Sequence, residues 1–175
     1  DGLVSAAMFT HLRRSISPDK RFRFSYRSCG YGPKMKTVPE RWLRGDENAV
    51  VDFRYVNSSR LTWYFDHHIT AFTSERQEKE ALARGERYVY DPDYGSCTKL
   101  IADVGRRRYS VDFDRYAELI EWADRIDRAS FTSAEAAIDR SEPIMQLAAV
   151  IEQQGDGALY EELAPRLLDE PIEEV

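Results

Sequence analysis

The ten residues WYFDHHITAF, positions 63–72, decide how this chain is read. An apolar run ends on an aspartate, and two of the chain's three histidines follow it side by side. Adjacent imidazoles behind a carboxylate are seldom needed for packing, whereas a metal or phosphate site needs them. An apolar run that ends on polar residues also describes a buried parallel strand with its carboxyl end at a crevice.

Working outward, NAVVDF (48–53) is a second apolar run, ending on Asp52, and RYVYD (87–91) is a third and shorter one. Between them SERQEKEALARG (74–85) has helical spacing and a closing glycine. Upstream, DGLVSAAMFTHLRR (1–14) reads as a helix before the breaker SISPDK. RFRFSY (21–26) alternates as a strand would, GYGP (30–33) predicts a turn and VPERWL (38–43) a short helix. From Gly95 onward GSCTKLIADV, FDRYAELIEWADRID, SAEAAI, EPIMQLAAVIEQQ and LYEELAPRLL all fit helices. The expected fold is therefore α/β, an open and mainly parallel sheet covered by helices, with a mostly helical second half. In such sheets ligands bind beyond the carboxyl ends of the strands, which gathers Asp52, Asp66, His67 and His68 at one crevice. Asp1 and Gly2 open a helix at that same edge.

With 175 residues, 42% of them hydrophobic, the chain is long enough for one domain with a sizeable core. A net charge of −6 argues against a generally basic nucleic-acid surface, so a polyanionic substrate needs metal or a focused cationic cluster. Two cysteines are too few for a disulfide framework, and a reducing cytoplasm is the expected setting. No run approaches the roughly 20 apolar residues that span a bilayer, and no membrane partner is expected. Carboxylates with imidazole and without thiolate suit Mn²⁺ or Mg²⁺ better than structural zinc.

The ordered set DGLVSAA, VVDF, FDHH and WADRIDRASF, spanning Asp1 to Phe131, resembles the DHH phosphoesterases. That family includes single-strand exonucleases, phosphodiesterases of small oligonucleotides and cyclic dinucleotides, and family II inorganic pyrophosphatases. The resemblance implies a single DHH-type domain over 1–175. Its opening motif, a histidine followed by Asp-x-Asp-Gly, is matched here only in its last two positions, Asp1 and Gly2. The strand before that motif is then expected upstream of Asp1, and a substrate-gripping C-terminal domain beyond Val175. Asp52 matches the aspartate that bridges two metal ions, His67 a metal ligand, and His68 the neighbour that contacts the scissile phosphate. Asp127, four residues before Phe131, matches the last metal aspartate, with Asp124 as the competing choice. Asp66 is expected to orient a histidine or the local backbone.

Other polar residues have plainer readings beside functional ones. Ser96 and Thr98 are expected to cap a helix, His11 to be solvated, and the arginines of GRRRY (105–109) to be surface charge. Arg54 is a weaker candidate for a phosphate contact. The expected activity is that of a phosphohydrolase in which two Mn²⁺ or Mg²⁺ ions share Asp52 and activate water. Its substrates would be small nucleotides or short single-stranded oligonucleotides, with a homodimer as one expected assembly. The alternatives are an inactive nucleotide-binding or assembly module on the same fold, or an exonuclease on longer strands.

Overall fold

The computed structural model describes residues 1–30, 35, 37–154 and 157–175. The predicted runs become three short strands, β1 (Ala49–Val51), β2 (Trp63–Asp66) and β3 (Tyr88–Tyr90). They form one parallel sheet in the order β1-β2-β3, with Val51 opposite Phe65 and Asp66 opposite Tyr90. Seven helices accompany them among the described residues: α1 (Gly2–Ser15), α2 (Glu75–Leu82), α3 (Cys97–Tyr109), α4 (Ala117–Asp127), α5 (Ala134–Ile138), α6 (Pro143–Gln154) and α7 (Gly157–Asp169). The architecture is α/β, and the second half is mostly helical.

All four residues of β2 are buried, because successive side chains enter opposite cores. Trp63 and Phe65 join Val89 and the apolar sides of α1, α3, α4 and α7. Tyr64 instead meets Val50, Phe53, Tyr55, Leu61 and Tyr88 on the other face. This central position holds the end of β2, and hence Asp66, His67 and His68, in fixed surroundings. Among the described residues no helix is long and apolar enough to cross a membrane.

Two expectations need correction. RFRFSY obeys the alternation of a strand in its exposure but pairs with none of the described strands. Its rings pack on α1 instead, with Phe22 under the Arg13 guanidinium, Phe24 under Arg14, and Tyr26 Oη 2.9 Å from Thr10 Oγ1. His11 is not merely solvated: its Nε2 lies 2.7 Å from the Asp112 carbonyl and its ring packs edge-on against Phe113 and Tyr116. Of the GYGP turn, residues 31–33 lie outside the described residues.

The entry to β1 is tied to α1 by one carboxylate. Glu47 accepts from Arg13 Nε at 2.7 Å, from Arg13 Nη2 at 2.5 Å and from Trp63 Nε1 at 3.0 Å. The Arg13 hydrogen bonds outweigh burial, and with the help of Trp63 they hold the Glu47 carboxyl down at about 2. A depressed carboxyl stabilises the fold above its unfolded pKa, and that contribution is lost as pH falls through the folded value. Glu47→Gln should therefore lower the urea midpoint at neutral pH. The gap from wild type should shrink only between the ordinary glutamate value of 4.5 and about 2, and close below it. A constant gap down to strong acid would contradict this account.

Candidate metal centre

Asp52 follows β1 directly, and its backbone N–H still donates to the Phe65 carbonyl at 2.9 Å, so the sheet continues to the site. Its φ of 56° is left-handed, a conformation an aspartate tolerates better than a branched residue. That turn carries the carboxylate over the start of α1. A Cβ on residue 2 would lie 3.2 Å from Asp52 Oδ2, so glycine at that position makes room for the approach.

Asp1 lies against the first turn of α3. Its Oδ2 accepts from the Cys97 N–H at 2.9 Å, and its Oδ1 accepts from the Thr98 hydroxyl at 2.6 Å. A helix N-terminus favours a carboxylate through its free amides and its dipole. Ser96 caps the helix as the sequence predicts, accepting from the Lys99 N–H at 3.2 Å. Thr98 departs from that reading, because its hydroxyl serves Asp1 and also lies 2.9 Å from Ser5 Oγ.

Asp127 arrives from the opposite kind of helix end. The chain leaves α4 with Ala129 at φ 48°, while Ser130 N–H donates to the Arg125 carbonyl and Ala129 N–H to Ile126. This is a Schellman closure with alanine where glycine is usual. It leaves Asp127 among the terminal carbonyls, where the helix dipole disfavours negative charge and a cation would offset it.

His67 is where these carboxylates meet. Its Nδ1 lies 3.1 Å from the Tyr94 carbonyl; a carbonyl only accepts, so Nδ1 carries the proton. Nε2 then faces Asp127 at 3.1 Å, Asp52 at 3.6 Å and Asp1 at 3.9 Å. It is buried, and among the described residues none meets it in hydrogen-bond alignment. Asp1, His67 and Asp127 offer ligand atoms all within 4.8 Å of one another, and so do Asp52, His67 and His68. Burial works to lower the His67 pKa, but Asp127, Asp52 and the Tyr94 carbonyl override it and lift it to about 10. Three carboxylates call for positive charge at this point, from a proton or from a metal ion.

Asp66 is fully buried and organises the pair from behind. Its Oδ1 accepts from His68 Nδ1 at 2.7 Å, from the His67 N–H at 2.9 Å and from the His68 N–H at 3.3 Å. Its Oδ2 accepts from Tyr64 Oη at 3.0 Å. The Asp66 hydrogen bond raises the His68 pKa against the effect of burial, with help from the charges of Asp66 and Asp52. The same Nδ1 lies 3.8 Å from Asp52 Oδ1, which sets the His68 ring beside the cluster.

Asp124, the competing choice, does not join the cluster; it accepts from Ser96 Oγ at 3.1 Å and pairs with Lys99 and Arg128, each at 3.6 Å. Arg54 lies two residues past Asp52 and is half-buried. The GRRRY arginines are engaged elsewhere, Arg107 with Tyr94 Oη and Arg108 with the Glu86 carbonyl. Sequence reasoning missed the Tyr94 carbonyl, the Cys97 amide and the Thr98 hydroxyl. Only a hydroxyl and two free amides at a helix start beside Asp1 could have signalled the last two. Comparison with protein-family models, curated proteins and solved structures gives no match for this chain.

Proposed function

We propose that this chain is a metal-dependent phosphohydrolase that uses two Mn²⁺ or Mg²⁺ ions and cleaves phosphodiester or phosphoanhydride bonds in small nucleotides or short oligonucleotides. The observation that carries the proposal is the buried His67 Nε2 facing the carboxylates of Asp1, Asp52 and Asp127. The donor set fits hard or borderline divalent ions, being oxygen and imidazole alone. Cys97 does not alter this, since burial pushes its thiol well above the ordinary range and its sulfur donates to the Phe65 carbonyl.

In this reading Asp1, Asp52, His67 and Asp127 would hold the ions, with His68 beside Asp52. When bound, such ions supply Lewis acidity, easing deprotonation of water near neutral pH and offsetting charge on the phosphoryl group. The protein's own part is placement. Tyr94 and Asp66 fix the two imidazoles, Thr98 and the α3 amides fix Asp1, and His68 Nε2 donates to a non-bridging phosphate oxygen or to the leaving group.

Isothermal titration of the full-length protein with Mn²⁺, beside hydrolysis of a dinucleotide, tests this. Hydrolysis should vanish in excess chelator and return with Mn²⁺. Both binding and rate should fall toward low pH as the carboxylates and His67 take up protons. Hydrolysis that continues unchanged in chelator would sink the proposal.

A further inference from the structure

The segment that failed to join the sheet offers a surface of its own. Along residues 21–27, Phe22, Phe24 and Tyr26 are half-buried against α1, and Arg21, Arg23, Ser25 and Arg27 are exposed. The ring centroids are 5.8 Å apart from Phe22 to Phe24 and 6.4 Å from Phe24 to Tyr26, close to the two-residue repeat of about 6.7 Å in an extended chain. Arg21, Arg23, Ser25 and Arg27 therefore stand in one row at strand spacing, with Ser25 as the uncharged position. Among the described residues no carboxylate pairs with Arg21, Arg23 or Arg27, in a chain whose net charge is −6.

The row has a direction. Phe22 and Phe24 lie at the level of Arg13 and Arg14, and Tyr26 at the level of Thr10, so from Phe24 on the segment runs back along α1 toward Asp1. At its near end the Arg27 guanidinium sits 5.6 Å from the Trp42 ring. Beside them is a cleft of about 330 Å³ lined by Tyr26, Arg27, Ser28, Trp42 and Glu161.

We propose that Arg21, Arg23 and Arg27 form a track for the sugar–phosphate backbone of a single-stranded oligonucleotide, with one base held in the cleft beside Trp42. Single strands bind where a cationic line follows the backbone and aromatic faces accept bases. Both elements are present here, with Arg21 and Arg23 two residues apart and Arg27 four residues further on, beyond Ser25, whose hydroxyl donates to Glu161. The link to the metal centre rests on the phosphohydrolase reading, but binding along the track does not. From Asp1 to the level of Thr10 is about 14 Å along α1, and Arg27 to Arg21 spans about 20 Å more. The first two nucleotides would lie at the centre, and the track would be filled by the fifth or sixth.

The test is fluorescence anisotropy of labelled oligothymidylates in chelator, from dinucleotide to octanucleotide. Affinity should rise at least ~10-fold from dinucleotide to hexanucleotide and then level off. The R21E/R23E/R27E variant should lose that gain, with folding checked by circular dichroism, while the triple lysine variant should keep most of it. The salt dependence for the hexanucleotide should also flatten by about 0.7 per arginine removed. Equal affinity for all lengths would overturn the proposal, and so would a glutamate variant that keeps the gain. Displacement of the hexanucleotide by polyglutamate at matched charge would overturn it in favour of an acidic protein partner. A hexanucleotide that binds through the arginines but is not cut with Mn²⁺ present would leave the track standing and remove the phosphohydrolase reading.

Discussion

His67→Ala should weaken Mn²⁺ binding by at least ~100-fold and remove hydrolysis, while the chain stays folded. Loss of a group that merely supports a ligand costs about 10- to 100-fold in metal affinity, and His67 Nε2, which faces all three carboxylates, is the proposed ligand itself. The variant also leaves the carboxylates of Asp1, Asp52 and Asp127 without the imidazole that faces all three. His68→Ala should behave differently. Its Nδ1 is held by Asp66, so removing the ring should lower turnover with metal affinity largely kept. Calorimetry with Mn²⁺ beside steady-state kinetics on a dinucleotide separates the two effects. Equal loss of affinity in both variants would make both imidazoles ligands.

The second large effect concerns Asp66. This carboxylate has no solvent exposure and takes four donors, from His67, His68 twice and Tyr64. Asp66→Ala strands all four in a buried space, and breaking a buried charged pair in this way costs about 3–5 kcal/mol. Asp66→Asn should recover much of that loss, since its carbonyl oxygen can still accept from the two histidines while its amide faces the Tyr64 hydroxyl. Urea unfolding of the two variants gives the comparison. An alanine variant as stable as wild type would show that Asp66 does not organise the strand end.

Much of this fold was legible because its strands announce themselves by ending. The apolar runs of NAVVDF, RLTWYFDHH and RYVYD reach an aspartate, Asp52, Asp66 and Asp91, at the strand end, and a buried strand can admit charge only where it leaves the sheet. Helices α1, α3, α4 and α7 were legible from spacing alone. RFRFSY misled, since alternation records two unlike surroundings and does not say whether the backbone has a partner; here α1 supplies the buried side. The carboxylate and imidazole members of the cluster could be gathered from the strand-end rule and the ordered motifs. The choice between Asp124 and Asp127 could not be made from a shared helical face. The exit from α4 separates them: a left-handed Ala129 closes the helix beyond Asp127, and Asp124 turns to Ser96, Lys99 and Arg128. Thr98 shows the same limit, because a hydroxyl at a helix start looks identical whether it caps the backbone or holds a neighbour's carboxylate.

Asp52 adopts left-handed backbone itself, and Asp127 is set in place by another left-handed residue two positions on. Such conformations cost about 1–2 kcal/mol each for residues with a side chain, and a chain released from its packing abandons both at once. The proposed ion site would therefore exist only in the folded ensemble, and an ion that binds it would draw molecules out of the unfolded one. Resistance to proteases should then follow the divalent ion supply: starved of metal, the protein should be digested faster through its open states, and replete with it, more slowly.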